Sequence, residues 1–174
     1  MFRRRRHREQ AEQAPEVYQI RERLVDIGDD YWIETAQGRR AFKVDGKVLR
    51  LRDTFAIQTP DGTEVARLQE RMARVRDTFK IERPGKPDAT VKKALISPFR
   101  DRWVLEADDV GELKVQGNIV DHEYTFETED GRKVAETSKR WFRVRDTYGV
   151  QIDPMLDAAL ILAATVAIDQ MSHD

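Results

Sequence analysis

Arginine and lysine are the residues of this chain whose spacing points most directly to chemistry, namely the binding of anions. Residues 1–8 hold five arginines and no acid, and two further basic clusters follow along the chain. A guanidinium group suits phosphate oxygens, because its fork of donors matches them in pairs. Our candidate phosphate- or lipid-binding residues are therefore Arg3, Arg4, Arg5, Arg6, Arg8, Lys92, Lys93, Arg100, Arg102, Lys139, Arg140 and Arg143, with Arg145 beside the last cluster.

Each basic cluster also has a plainer interpretation. A run of like charges is often a solvated tail, so residues 1–8 are either a membrane-binding segment with Phe2 as a small apolar anchor or a tail without a role. Charged residues on outward-facing strand positions keep a sheet soluble and discourage edge pairing. The two later clusters are then a solvated face, and both interpretations remain open from the sequence.

Metal chemistry has little support in the sequence. The three histidines His7, His122 and His173 lie far apart, and none has a partner at the i, i+4 spacing of a helical metal site. The group Asp121-His122-Glu123 is the one local acid–histidine cluster, and we expect it to be a strand end or a turn. The sequence predicts no metal and no cofactor.

Nucleophilic catalysis is equally unsupported. The chain has no cysteine, and none of its serines, Ser97, Ser138 and Ser172, lies in a G-x-S-x-G elbow. Glycine loops of the P-loop or dinucleotide-binding type are also absent from the sequence. We therefore expect a protein that is not an enzyme.

The elements that must position the basic residues are mostly strands. From residue 17 to 153, apolar and polar residues alternate, as in Leu49/Leu51, Phe55/Ile57 and Tyr124/Phe126, and this period of two places one set on one face of a strand. Short turn signals such as Asp45-Gly46 and Asp130-Gly131 separate these runs. The spacing fits eleven or twelve strands, which is typical of an all-β sandwich or barrel.

An internal repeat supports a series of hairpins. Residues 62–81 and 131–150 are identical at nine of twenty positions, and both contain Arg-Val-Arg-Asp-Thr. A third Arg-Asp-Thr occurs at residues 52–54. Aspartate and threonine side chains often bind nearby backbone at turns, so we interpret the motif as a turn into a strand. A binding motif present in three copies is the alternative.

The last twenty residues change to a helical pattern. Asp153 and Pro154 predict a helix start, with Asp153 as N-cap, and the helix is expected over about residues 154–171. Its apolar part, residues 155–168, would span about 21 Å, too short for a hydrocarbon core of about 30 Å. Residues 158–168 are apolar on every face, and such a helix must be buried. The sequence therefore predicts a closed antiparallel barrel of about twelve strands around this helix.

Composition bounds the class of protein. The 174 residues include no cysteine, which excludes a disulfide framework, and 36% of them are charged, which argues against an integral membrane protein. The net charge of −1 argues against a dedicated nucleic-acid binder. We expect a basic N-terminal tail over residues 1–16 and one barrel domain over residues 17–174. A signal peptide needs an apolar stretch directly after its basic start, but residues 9–16 are polar, so we expect a cytoplasmic protein. We also expect a monomer.

These features resemble the LURP-one-related family. The resemblance covers residues 17–172 and includes the hairpin series, the apolar helix ending in Ala167-Ile168-Asp169, and the segments 28–33 (GDDYWI) and 44–47 (VDGK). The family is grouped with the tubby C-terminal domain and the phospholipid scramblases. The resemblance implies a closed barrel of twelve antiparallel strands, mainly β, around a central hydrophobic helix.

Function does not follow from the resemblance alone, because one fold hosts many functions. Tubby domains bind phosphoinositides through basic surface residues, scramblase relatives associate with membranes, and most LURP-one-like proteins have no assigned biochemical activity. Two hypotheses follow. The first is a non-enzymatic module that docks on anionic phospholipid, peripherally at the inner membrane face. The second is a soluble protein-interaction or regulatory scaffold that binds no lipid.

Overall fold

Strands of one closed antiparallel barrel make up most of the chain. The structure is a computed structural model, and it describes residues 14–21, 31–45, 54–72, 77–94, 102–143 and 145–173. Each strand pairs with its neighbours in sequence, and β1 pairs with β12 to close the barrel. The strands are β1 (Glu16–Arg21), β2 (Tyr31–Thr35), β3 (Arg40–Asp45), β4 (Thr54–Gln58), β5 (Glu64–Met72), β6 (Asp77–Glu82), β7 (Ala89–Lys93), β8 (Arg102–Ala107), β9 (Gly111–Asn118), β10 (Glu123–Thr128), β11 (Lys133–Ser138) and β12 (Thr147–Ile152). The predicted barrel is confirmed.

The alternation of apolar residues sets which side chains point into the barrel. Phe55 and Ile57 of β4 and Tyr124 and Phe126 of β10 are buried, as the period of two predicts. The predicted pair Leu49/Leu51 lies outside the described residues. Closure is set by the register of β1 on β12, which runs from Glu16 opposite Ile152 to Arg21 opposite Thr147. No backbone edge remains open between these two strands.

The C-terminal helix α1 (Ala158–His173) fills the lumen of the barrel. Every side chain from Ala159 to Asp169 is buried, and the helix contacts β5, β6, β7 and β12. A barrel of this strand number is too wide for wall side chains alone to fill, so the helix completes the core. None of the helices in the described ranges combines the length and the apolar character needed to cross a bilayer. We call the barrel end where α1 begins the lower end and the other the upper end.

The predicted start of the helix is wrong by four residues. The structure begins α1 at Ala158, and Asp157 caps it by accepting a hydrogen bond from the Ala159 N–H at 3.1 Å. Asp153 instead closes a turn, since its carboxylate accepts from the Met155 N–H at 2.9 Å and its carbonyl from the Leu156 N–H at 2.9 Å. This turn carries the chain from the barrel wall into the lumen.

A buried arginine fixes Asp157 in the capping position. The Arg83 side chain is 1% exposed, and its guanidinium donates to Asp109 Oδ1 at 2.7 Å and to Asp157 Oδ2 at 3.3 Å. It also donates to the Pro87 carbonyl at 2.7 Å, while Lys86 Nζ reaches the same Asp157 oxygen at 2.9 Å. The network joins the β6–β7 and β8–β9 turns to the first turn of α1. The choice of helix cap is therefore made by residues distant in sequence.

The repeated Arg-Asp-Thr motif lies at the upper end of the barrel, where strands β4, β6 and β12 begin. Thr54 is the first residue of β4 and Thr147 the first of β12, and both are buried. Asp146 has a φ of 58°, a left-handed turn conformation that aspartate tolerates better than most residues. The arginines of the copies that precede β4 and β6 lie outside the described residues. The described members support the interpretation of the motif as a turn into a strand.

Candidate anion-binding surface

The predicted basic clusters lie on separate parts of the barrel. Lys92 and Lys93 end β7 and Arg102 begins β8, whereas Lys139 and Arg140 follow β11. Strands β9 and β10 lie between the two clusters, so they do not form one continuous surface. Both clusters are nearer the upper end than the lower end. The N-terminal residues Arg3, Arg4, Arg5, Arg6 and Arg8 and also Arg100 lie outside the described residues.

The second cluster lies in the connection between β11 and β12, which we call the basic loop, and the structure describes its residues 139–143, 145 and 146. It begins with a short 3-10 helix, Lys139–Trp141, capped by Ser138, whose hydroxyl accepts from the Arg140 N–H at 3.1 Å. The Glu123 carboxylate anchors it by accepting from the Ser138 hydroxyl at 2.9 Å and from the Lys139 N–H at 3.1 Å. The start of the basic loop is thus held on the first residue of β10.

Gly149 gives the basic loop its seat on the barrel wall. A Cβ atom at this position would lie 2.6 Å from Cε3 of Trp141 and 2.9 Å from Cε2 of Phe142. The two rings therefore pack directly on the backbone of β12, in space that any other residue would fill. The two rings therefore hold the part of the basic loop between Arg140 and Arg143 against β12.

The basic loop combines exposed cations with exposed apolar surface. Arg140, Arg143 and Arg145 are exposed, and among the described residues no carboxylate forms an ion pair with Arg143 or Arg145. Trp141 is 38% exposed between them. Val120, in the turn that directly precedes Glu123, is 64% exposed. These are two of the three large apolar side chains exposed in the described chain, and both lie at the upper end.

A cleft of about 430 Å³ lies on the neighbouring strands β1 and β2. It is lined by Arg21 and Arg40, with Trp32 and Glu34 between them, and the Arg40 guanidinium lies 4.6 Å above the Trp32 ring. Arg21 pairs with Thr147, two residues after Arg145 of the basic loop. Sequence reasoning missed this cleft, because Arg21 and Arg40 lie on β1 and β3 and share it only through the pairing of both strands with β2.

The first predicted cluster lines a groove of about 430 Å³ on the outer wall of β7, β8 and β9, which we call the wall groove. It places Lys92 and Arg102 together and adds Lys114. The groove also holds Glu106, whose carboxylate lies 2.9 Å from Lys92 Nζ. Lys93 points elsewhere, with its ammonium 5.5 Å from the Trp103 ring. The wall groove is therefore a mixed-charge site.

Charge differs between the two ends of the barrel. The lower connections hold eight acidic residues and four basic ones: Asp61, Asp88, Asp108, Asp109, Glu129, Asp130, Asp153 and Asp157 against Arg39, Arg83, Lys86 and Arg132. The described upper connections have the opposite ratio, with the four cations of the basic loop against Asp121 and Asp146. Among the described residues, the connections of the upper end are therefore net basic and those of the lower end net acidic.

His122 lies in a turn, as expected, but sequence reasoning missed its contact. It has a φ of 53°, stacks on Tyr148 at 4.1 Å between ring centroids, and lies 3.5 Å from buried Asp169. In the part of the chain that the structure describes, no three histidine or acidic side chains are grouped to hold a metal ion. The pair belongs to the core beneath the upper end.

The barrel and the helix inside it identify the fold class of this protein. A closed barrel of twelve antiparallel strands around one buried helix is the fold implied by the resemblance in the sequence. The chain belongs to the LURP-one-related family, since the model of that family matches residues 16–169.

One solved structure supports the same fold. It is the X-ray structure of a protein from Arabidopsis thaliana, which has 19% sequence identity to this chain and a TM-score of 0.63. The match covers 91% of this chain and 92% of the plant protein. At this identity the likeness concerns the fold. No curated protein matches the sequence.

Proposed function

We propose that this protein is a non-enzymatic module that docks peripherally on anionic phospholipid surfaces, with its upper end toward the lipid. The observation that carries the proposal is the basic loop, where Arg143 and Arg145 lie beside exposed Trp141 without an ion-paired carboxylate among the described residues. A basic side chain near an anionic membrane surface contributes about 1 kcal/mol. Tryptophan favours the interface, where its ring is partly buried and its N–H stays hydrated.

The distribution of charge supports one orientation over the others. An anionic surface approaching the lower end would meet twice as many acids as bases in its connections, whereas the described upper connections reverse that ratio. Arg21 of the Arg21–Arg40 cleft pairs with Thr147 directly after the basic loop, and each guanidinium group of the cleft can bind a phosphate bidentately. Arg140 and Lys139 add charge at the same end. In this proposal the cleft receives a head group and the basic loop lies in the interface.

Vesicle co-sedimentation tests the proposal. We expect binding to phosphatidylcholine vesicles that contain phosphatidylserine, increasing with the phosphatidylserine fraction and decreasing with salt. The double variant R143Q/R145Q should bind roughly 30-fold more weakly, because two contributions of about 1 kcal/mol are lost. Trp141→Ala should also weaken binding. Deletion of residues 2–8, which lie outside the described residues, should weaken it further if the arginine-rich tail takes part.

A matched control removes two charges elsewhere. Arg132 and Lys133 lie at the lower end and face Asp153 and Glu136, so R132Q/K133Q changes the net charge equally without touching the basic loop. It should bind as the wild type does. Equal sedimentation with pure phosphatidylcholine, or an equal loss in both double variants, would overturn the proposal. Absence of any sedimentation with anionic vesicles would favour the soluble scaffold instead.

A further inference from the structure

The wall groove differs from the basic loop in what it can bind. Its cations stand in register: Lys92 and Lys114 both lie opposite Val104, and Arg102 lies two residues before Val104 on the same face of β8. The half-buried Val104 thus forms an apolar floor, with Lys92 and Lys114 on its two sides and Arg102 toward the upper end. At about 430 Å³ the wall groove falls within the size range of binding pockets.

Among the residues that the structure describes, only part of the charge in the wall groove is neutralised. Lys92 is paired with Glu106, but among the described residues Arg102 and Lys114 have no carboxylate within ion-pair distance. They are diagonal neighbours on β8 and β9, since Arg102 pairs with Gln116 and Val104 with Lys114. Diagonal positions on antiparallel strands are about 7–8 Å apart, a distance that two long cations can bridge to one carboxylate.

We infer that the wall groove is a docking site for an acidic segment of a partner protein, which places one aspartate or glutamate between Arg102 and Lys114 and an apolar side chain on Val104. The inference goes beyond the proposed lipid docking and does not rest on it. Charge complementarity identifies the acidic residue, and the half-buried valine identifies its apolar neighbour.

The surroundings of the wall groove favour a peptide over a membrane as its occupant. Glu106 and Glu112 lie on the lower side of the same groove. A planar anionic lipid surface would bring phosphates against these two acids as well as against the cations. A peptide segment with a single acid can contact the cations without placing a negative charge beside Glu106 and Glu112. Strand addition is excluded as the binding mode, because β7, β8 and β9 are already paired on both sides in the closed barrel. Recognition must therefore come from side chains.

A short synthetic peptide tests the inference without knowledge of the partner. The probe is Gly-Ser-Glu-Ser-Leu-Ser-Gly with blocked ends, whose alternate Glu and Leu share one face when extended. Titrated into isotope-labelled full-length protein, it should shift the amide NMR signals of Val104, Lys114 and Gln116. We expect R102Q/K114Q, or replacement of the peptide glutamate by glutamine, to weaken the binding at least about tenfold. R132Q/K133Q is the matched control and should bind as the wild type does.

The outcomes separate this inference from the lipid proposal. Shifts that persist unchanged in R102Q/K114Q, that are the same with the glutamine peptide, or that occur outside the wall groove would overturn the inference. So would wall-groove shifts produced by phosphatidylserine vesicles, which would assign the cations to lipid. Because the vesicle experiment relies on Arg143 and Arg145, failure in one experiment leaves the result of the other unaffected.

Discussion

The imidazole Nε2 of His122 lies 3.5 Å from the carboxylate Oδ1 of Asp169, and both side chains are buried beneath the upper end of the barrel. Asp169 lies on α1 directly after its uncharged part, and His122 on the turn between β9 and β10. Burial and then the nearby Asp169 charge raise the pKa of the Tyr31 and Tyr124 hydroxyls. The one acid of α1 therefore lies beside the β9–β10 turn, and its charge acts on buried tyrosines of β2 and β10.

We expect the His122–Asp169 contact to be energetically coupled. Removing one of two neighbouring buried polar groups typically costs about 1–3 kcal/mol, because the remaining group is left without a partner away from water. His122→Leu and Asp169→Leu should each destabilise the protein in urea unfolding, while the double variant should lose clearly less than the sum of the two. Additivity of the single effects would show that the two side chains act independently.

Sequence patterns predicted the barrel because two independent signals agreed. The period of two over residues 17–153 required a sheet with one buried face, and a helix that is apolar all round required a sheet on every side. The helix start was wrong because Asp153 and Asp157 are both suitable caps. Arg83 decides between them, and it lies 74 residues before Asp157. No local pattern contains that information.

The candidate surface could be predicted only in part. The cations Lys139, Arg140, Arg143 and Arg145 were found as a sequence cluster, but their presentation depends on the packing of Trp141 against Gly149. The Arg21–Arg40 cleft is formed where β1 and β3 both pair with β2, and the closure of β1 on β12 adds Thr147 to it beside Arg21. Residues so far apart in the chain meet through topology, and a motif search does not find them.

Replacement of Arg83 should destabilise the lower end. Lysine keeps the charge but loses the fork of donors that reaches Asp109, Asp157 and the Pro87 carbonyl together. We expect Arg83→Lys to cost about 3 kcal/mol in urea unfolding, since charged partners are left unsatisfied in a buried site. Arg132→Lys, at an exposed pair of 3.8 Å, is the control and should change stability by less than about 0.5 kcal/mol.

The same network predicts a loss of stability in acid. The hydrogen bond from Arg83 lowers the pKa of Asp109, and the pKa of Asp157 is lowered because Lys86 and Arg83 outweigh the opposing effect of burial. A lowered folded-state pKa gives a contribution that is complete above about pH 4 and is lost as the pH falls through the lowered value. Thermal melting between about pH 6 and pH 2 should therefore fall less steeply for Asp157→Asn than for the wild type. Equal slopes would contradict this assignment.

Gly149→Ala should detach the basic loop while leaving the barrel closed. The added methyl group would occupy the place of the Trp141 and Phe142 rings, and overpacking of this kind typically costs about 1–3 kcal/mol. If the rings swing away instead, stability changes little, but Trp141 becomes more exposed to a soluble quencher and vesicle binding falls. Gln151→Ala, at the next outward position of β12, should change neither quenching nor binding. Unaltered quenching and stability in Gly149→Ala would show that the rings do not depend on this seat.

Leu160→Asp and Ile161→Asp test the architecture as a whole. Both side chains are buried in the lumen, so a carboxylate there has neither water nor a preorganised partner, and the cost exceeds the roughly 5–15 kcal/mol that holds a domain folded. We expect neither variant to give a folded protein by circular dichroism. Gln170→Asp, on the same helix at a half-buried position, should still fold, which separates burial from the mere presence of an acid on α1. A soluble Leu160→Asp protein that melts cooperatively at the wild-type temperature would show that α1 does not thread the barrel.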